Sequence, residues 1–182
     1  PIITKNSTLG HLAVIPTLIR DEDAVIMDHQ VHWSVQNACQ LLKLRGIPVE
    51  MIRHGNLDML EDKIKMLASK CNKIWHMADG VYSMFGDYAA IPELLDLTKK
   101  YSQLHLYFDD VHGMSWKGKN GTGFVFDAIK ELPENVVVVG TLSKTFGASG
   151  ATFFCKNQEL RDKIKNFGGP LTFSAQLEPA SV

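Results

Sequence analysis

Cysteine is scarce in this chain: three in 182 residues (Cys39, Cys71 and Cys155), an odd number at wide spacing with no Cys-x-x-Cys pair. That argues against a disulfide framework and against structural zinc, so no metal is expected, and a reducing, cytoplasmic setting fits best. A surplus of one charge is lacking too. Lys+Arg number 19 and Asp+Glu 20, a net −1, which gives no general drive toward nucleic acid or an anionic membrane. No apolar run approaches the ~20 residues of a bilayer span, and no charged-then-apolar signal segment occurs. Repeats, low-complexity tracts and linker-like stretches are missing as well, leaving one domain over residues 1–182 as the expectation.

What is present is an ordinary globular composition, 45% hydrophobic and 21% charged, able to bury a sizeable core. Apolar runs and amphipathic stretches alternate. Strand candidates are Ala24–Met27, Pro48–Ile52, Lys73–Met77, Leu104–Phe108, Val136–Val139 and Ala151–Cys155. Helix candidates are Leu9–Arg20 (with Pro16 expected to kink it), 32–45 ending at Gly46, Leu57–Ser69 capped by Asn56, 91–101, 124–131 and 157–166. Four β-branched residues in a row at 136–139 suit a strand covered on both faces. The alternation predicts an α/β fold, a mostly parallel sheet with helices on both faces. In such sheets ligands bind beyond the carboxyl ends of the strands.

Three strand-end loops hold unusual polar sets: Asp79-Gly-Val-Tyr-Ser83-Met-Phe-Gly-Asp87, Phe108-Asp109-Asp110-Val-His112-Gly113, and Thr141-Leu-Ser-Lys144-Thr-Phe-Gly147. Singly, each reads as turn, cap or solvated lysine. Together they place a hydroxyl, a carboxylate with a histidine three residues on, and a lysine among hydroxyls and glycines at one sheet edge. Pyridoxal-phosphate catalysis needs this set. A lysine must reach a neutral amine to form an imine with the cofactor aldehyde. A carboxylate keeps the pyridine nitrogen protonated, so the ring can accept electrons. A histidine or serine hydrogen-bonds the phenolic oxygen, and hydroxyls with free N–H groups take the phosphate.

The same three stretches carry a resemblance. Residues 141–147 are similar to the cofactor-lysine motif of the α-oxoamine synthases, 108–113 to their Asp-(Glu/Asp)-Ala-His motif, and 79–87 to their Glu-Gly-Val-(Phe/Tyr)-Ser-Met-Asp-Gly-Asp stretch. Order and spacing agree along nearly the whole chain. This family, of the 8-amino-7-oxononanoate synthase, 2-amino-3-ketobutyrate CoA ligase and serine palmitoyltransferase type, belongs to the fold-type-I pyridoxal-phosphate enzymes. The resemblance implies the large, cofactor-binding domain of such an enzyme. Its reaction would be decarboxylative condensation of an amino acid with an acyl-CoA, in a homodimer with the site at the interface.

Carried over residue by residue, it implies that Lys144 is the Schiff-base lysine and the acid/base for the α-proton. Asp109 would pair with the pyridinium nitrogen, His112 and Ser83 would contact the phenolic oxygen, and His32 would stack on the ring. Thr141 would touch the phosphate. Ser7 and Thr8 match the family's phosphate turn in position but not in residue type, and Ser174 falls where a hydroxyl reaches the neighbouring subunit's phosphate. His11, His54, His76 and His105 read as structural or surface histidines, and the cysteines as buried thiols.

Departures are few. Asp79 replaces the usual Glu, Phe85 an Asp, and Trp33 a small residue, changes that bear on the substrate pocket. A rival motif, Gly113-Met-Ser-Trp-Lys-Gly118-Lys119-Asn120, has P-loop spacing but lacks the Ser/Thr that would bind magnesium. Two further readings stay open: an aminotransferase or lyase using the same lysine and aspartate, and an isolated cofactor-binding core without turnover. Superfamily members are longer. The resemblance therefore implies an N-terminal segment and a C-terminal small domain outside these residues.

Overall fold

A computed structural model describes residues 1–174, 177 and 178. In chain order the elements are β1 (Ile2–Thr4), α1 (Ser7–Leu18), β2 (Ala24–Asp28), α2 (Trp33–Lys43), β3 (Val49–Ile52), α3 (Leu57–Leu67), β4 (Ile74–Asp79), α4 (Ile91–Lys100), β5 (Leu104–Asp109), α5 (Phe124–Ala128), β6 (Val136–Thr141), β7 (Ala151–Phe154), α6 (Gln158–Phe167) and α7 (Gly169–Phe173). The seven strands form one sheet in the order β1-β7-β6-β5-β4-β2-β3. Strands β3, β2, β4, β5 and β6 run parallel, while β7 runs antiparallel to both β6 and β1. The fold is α/β with a mostly parallel sheet, as the alternation of patterns predicts.

Helices cover both faces because the strands are apolar on both. In β6, Val137 and Val139 face one core with α1 and α2, and Val136 and Val138 face the other with α3 and α4. The same split runs through β2, where Val25 and Met27 face one way and Ala24 and Ile26 the other. Side chains alternate, so a single apolar run feeds two cores. Helix α1 approaches β7 closely at Gly10, where a Cβ would sit 2.2 Å from the Phe153 ring. Among the described residues no helix is long and apolar enough to cross a membrane.

Local signals place most boundaries. Asn6, Asn56 and Asn157 cap α1, α3 and α6 by accepting from the N–H of Leu9, Met59 and Leu160. Helix α1 holds Pro16 in its last turn, and the Pro16 carbonyl accepts from Arg45 Nη1 at 2.8 Å. Two differences from the sequence expectation have physical causes. The helix expected at 124–131 stops at Ala128, because Ile129 is extended. Strand β1 has only three residues and is specified by pairing with β7 rather than by its own pattern.

The parallel order matters for the site. From β2 the chain crosses to β3 on one side, and β4 then returns to the other side of β2. This reversal opens a crevice beyond the carboxyl ends of β2 and β4, the position where open α/β sheets bind ligands. Asp28 ends β2, Asp79 ends β4, and Asp109 ends β5.

Candidate active site

Asp79 and Asp109 stand opposite each other in register across β4 and β5. Both are buried. Their environments differ. Asp109 Oδ2 lies 3.0 Å from His11 Nε2, and Oδ1 accepts from the Val111 N–H at 3.2 Å. Burial alone would raise the Asp109 carboxyl, yet His11 and the Val111 N–H hold it below the ordinary carboxylate range. Among the described residues, Asp79 accepts only a backbone N–H, from His32 at 3.0 Å. Burial, with the Asp109 charge beside it, pushes Asp79 up to about 9. At neutral pH the pair therefore divides into an anion at Asp109 and a neutral acid at Asp79.

His32 caps α2, its Nδ1 taking up the Ser34 hydroxyl at 2.6 Å and the Ser34 N–H at 3.3 Å. It is half-buried, above the β2–β4 crevice. His112 is also half-buried. Burial pushes its imidazole down, as do the charges of Lys144 and His32, while Asp109 acts the other way. Four sequence-predicted residues, His32, Asp109, His112 and Lys144, thus form one electrostatic cluster. Lys144 is exposed in the loop after β6, where the Gly147 N–H donates to its carbonyl.

The residues expected at a phosphate also lie together. Ser7 and Thr8 open α1, where first-turn N–H groups have no intrahelical acceptor. Thr141 is buried and donates to the Gly150 carbonyl at 3.0 Å, and Gly150 N–H donates to the Lys5 carbonyl at 3.1 Å. Gly150 thereby ties the turn before α1 to the lysine loop. The Thr141 hydroxyl is engaged inside that loop, also accepting the Ser143 N–H at 3.2 Å, whereas Ser143 itself is exposed. Ser83 is exposed in the turn after β4. Ser174 is not brought to the cluster: its hydroxyl donates to the Pro170 carbonyl, at the end of α7.

Sequence reasoning missed His11 and undervalued His54. His11 sits fully buried inside α1, with Nδ1 2.7 Å from the Tyr107 hydroxyl. A histidine within the otherwise apolar stretch Leu9–Ile15 was the available signal. His54 bridges Asp28 at 2.9 Å and Asp87 at 2.6 Å, joining the loops after β3 and β4. Nothing local in the sequence marks that bridge. His76 is buried, pushed down to about 4 by desolvation, and donates to the Ile26 carbonyl.

The P-loop rival fails on charge. The helix after Gly113–Gly123 is only α5, and its Val125 N–H donates to Asp110 Oδ2 at 2.9 Å. A carboxylate already occupies the place a phosphate would take. The cysteines are free and buried, and burial pushes Cys39 up to about 12, an inert thiol. Among the described residues no group of His, Cys, Asp and Glu is arranged to hold a metal ion.

Comparison with known proteins gives the family and the fold. The family model "Aminotransferase class I and II" matches residues 2–182. An 8-amino-7-oxononanoate synthase of Petrotoga mobilis is 33% identical over 180 residues, covering 98% of this chain and 44% of that protein. A serine palmitoyltransferase of Bacteriovorax stolpii is 29% identical over 183 residues, covering 100% of this chain and 42% of that protein. A solved serine palmitoyltransferase from S. paucimobilis, described with a bound PLP–myriocin aldimine, superposes with a TM-score of 0.85 at 27% identity, over 99% of this chain and 45% of that one. The chain spans about half the length of the relatives it matches.

Proposed function

The chain belongs to the aminotransferase class I and II family, and from that premise we propose that it is the cofactor-binding part of a pyridoxal-phosphate-dependent acyltransferase. The proposed reaction joins an amino acid to an acyl-CoA with loss of carbon dioxide. One observation carries the reading: a buried carboxylate anion, Asp109, shares a sheet edge and an electrostatic neighbourhood with Lys144.

The donor set fits pyridoxal phosphate, whose ring nitrogen, aldehyde, phenolic oxygen and phosphate each need a different partner. Asp109 is the anion for the ring nitrogen, and Lys144 would hold the aldehyde carbon. His112 and Ser83 would serve the phenolic oxygen and His32 the ring face. The N–H groups of Ser7 and Thr8 would take the phosphate with the loop that Thr141 organises, and Ser174 would reach a neighbouring subunit's phosphate. When bound, the cofactor supplies an electron sink for a carbanion at the α-carbon of the amino acid.

The chain's own residues supply the rest. Asp109 holds a proton on the ring nitrogen by its charge. The Lys144 amine takes the α-proton and later returns one, which its place in an exposed, mobile-length side chain allows. Neutral Asp79 holds the His32 backbone, so the imidazole stays over the crevice without a second anion beside Asp109. The relatives named above support the acyl-transfer reading, as does the intact lysine and aspartate pattern. Exposed Trp33, Met84, Phe85 and Phe146 around this edge support a homodimer with the site at its interface.

The test uses the full-length protein with cofactor. Glycine, alanine or serine is supplied with an acyl-CoA, and free CoA is followed. Release of CoA that requires the amino acid supports the synthase. Conversion of the cofactor to its amine form by an amino acid alone, without CoA release, overturns it in favour of an aminotransferase.

A further inference from the structure

Asp109 does not act alone: it ends a chain of three buried side chains from three places in the sequence. Tyr107 and Asp109 point to the same face of β5, two residues apart, and His11 of α1 sits between them. All three are essentially inaccessible to solvent. The tautomer of His11 follows from its neighbours. The Tyr107 phenol is pushed far above its ordinary value by burial and by the Asp109 charge, so it keeps its proton. A buried O–H needs an acceptor, and His11 Nδ1 lies 2.7 Å away. With Nδ1 accepting, Nε2 carries the hydrogen and donates to Asp109 Oδ2 at 3.0 Å.

His11 Nε2–H fixes the carboxylate by one directed hydrogen bond. Val111 N–H takes the other oxygen. A carboxylate offers roughly four lone-pair sites, so acceptor capacity remains for a further donor. Packing holds the His11 ring as well, edge-on to Phe153 at 5.6 Å and tilted on Tyr107 at 5.8 Å. His32 also acts on Asp109 by its charge, and Asp109 in turn acts on Asp79, Asp110 and His112.

We propose that His11 is a positioning residue for Asp109, braced by the Tyr107 hydroxyl, so that its Nε2–H orients the carboxylate toward the cofactor's ring nitrogen. The proposal deepens the cofactor reading above and rests on it. Loss of the donor makes Asp109 more basic, so the proton it shares with the ring nitrogen moves toward the carboxylate.

The experiment uses full-length protein and pyridoxal phosphate, with His11→Leu, His11→Gln and Tyr107→Phe. Cofactor affinity is measured by fluorescence titration, and the ring nitrogen's protonation by nitrogen NMR of isotope-labelled cofactor. His11→Leu is expected to weaken binding about tenfold or more, the scale of one hydrogen bond to a charged group. Its ring-nitrogen signal should move toward the unprotonated position. His11→Gln, which keeps an N–H donor, should restore both readouts most of the way. Tyr107→Phe should move the nitrogen signal in the same direction by a smaller amount.

A folded His11→Leu protein with wild-type affinity and an unmoved signal overturns the proposal, as does a His11→Gln protein no better than His11→Leu. Should His11→Leu fail to fold, an unmoved signal in Tyr107→Phe overturns it. Wild-type protein that takes up no cofactor brings down the cofactor reading itself, and this proposal with it. Normal uptake by wild type with indifferent variants brings down only the role of His11.

Discussion

Asp79 and Asp109 are paired in register at the ends of neighbouring parallel strands, yet one is held neutral and the other charged. The difference lies in what each carboxyl accepts. Asp109 receives His11 Nε2–H and a backbone N–H, while Asp79 receives the His32 N–H. Two adjacent buried anions would repel strongly, so the better-solvated member by hydrogen bonding keeps the charge.

The two aspartates should therefore respond unequally to the same substitution. Asp79→Asn resembles the protonated acid and can still accept the His32 N–H, so activity should stay within about threefold, less than the loss of one hydrogen bond. Asp109→Asn removes the charge at the ring nitrogen and should cost about 100-fold or more, comparable to removing one electrostatic contact in an active site. Steady-state rates of the two variants, with denaturant melts as the folding control, check this.

The pH dependence of stability has a fixed sign. Asp79 rises from 3.8 when unfolded to about 9 when folded, so between these values the native state binds the extra proton. Stability then falls as pH rises across that window, by at most about 1.4 kcal/mol per pH unit. Asp109 contributes in the opposite sense, its stabilisation lost as the solution becomes acidic. Urea midpoints between about pH 5 and about pH 8 should decline in wild type and decline less in Asp79→Asn.

Packing of α1 onto β7 is tested at Gly10. An added Cβ would lie 2.2 Å from Phe153 Cε2 and 2.9 Å from Thr4 Oγ1. Gly10→Ala should destabilise the protein by about 1–3 kcal/mol, as overpacking does, despite alanine's better helix propensity. A thermal melt reads the outcome. Unchanged stability would mean that α1 shifts freely, which the burial of neighbouring His11 argues against.

Much of this was legible in the sequence because it is local. The Val136–Val139 run, the Asn56 cap and the Asp-Asp-x-His loop each announce themselves within a few residues. Their convergence followed from the parallel alternation, which sends successive strand ends to one edge. What stayed hidden depends on contacts across the chain. Strand β1 exists through β7, and the bridge of His54 to Asp28 and Asp87 joins the loops after β3 and β4 to the end of β2. His11 meets Asp109 across 98 positions. Asp79 was noticed only as a departure from a motif, since neutrality is a property of its neighbours. Thr141 has a use the sequence did not suggest: its hydroxyl braces the lysine loop.

The central claim is that Lys144 holds a pyridoxal cofactor opposite Asp109. The most direct measurement is borohydride reduction of the full-length protein with bound cofactor, followed by peptide mapping of the reduced adduct. The account predicts a single adduct at Lys144 and none in Lys144→Ala. An adduct at another lysine, or a visible cofactor band that survives in Lys144→Ala and is still removed by borohydride, would contradict it.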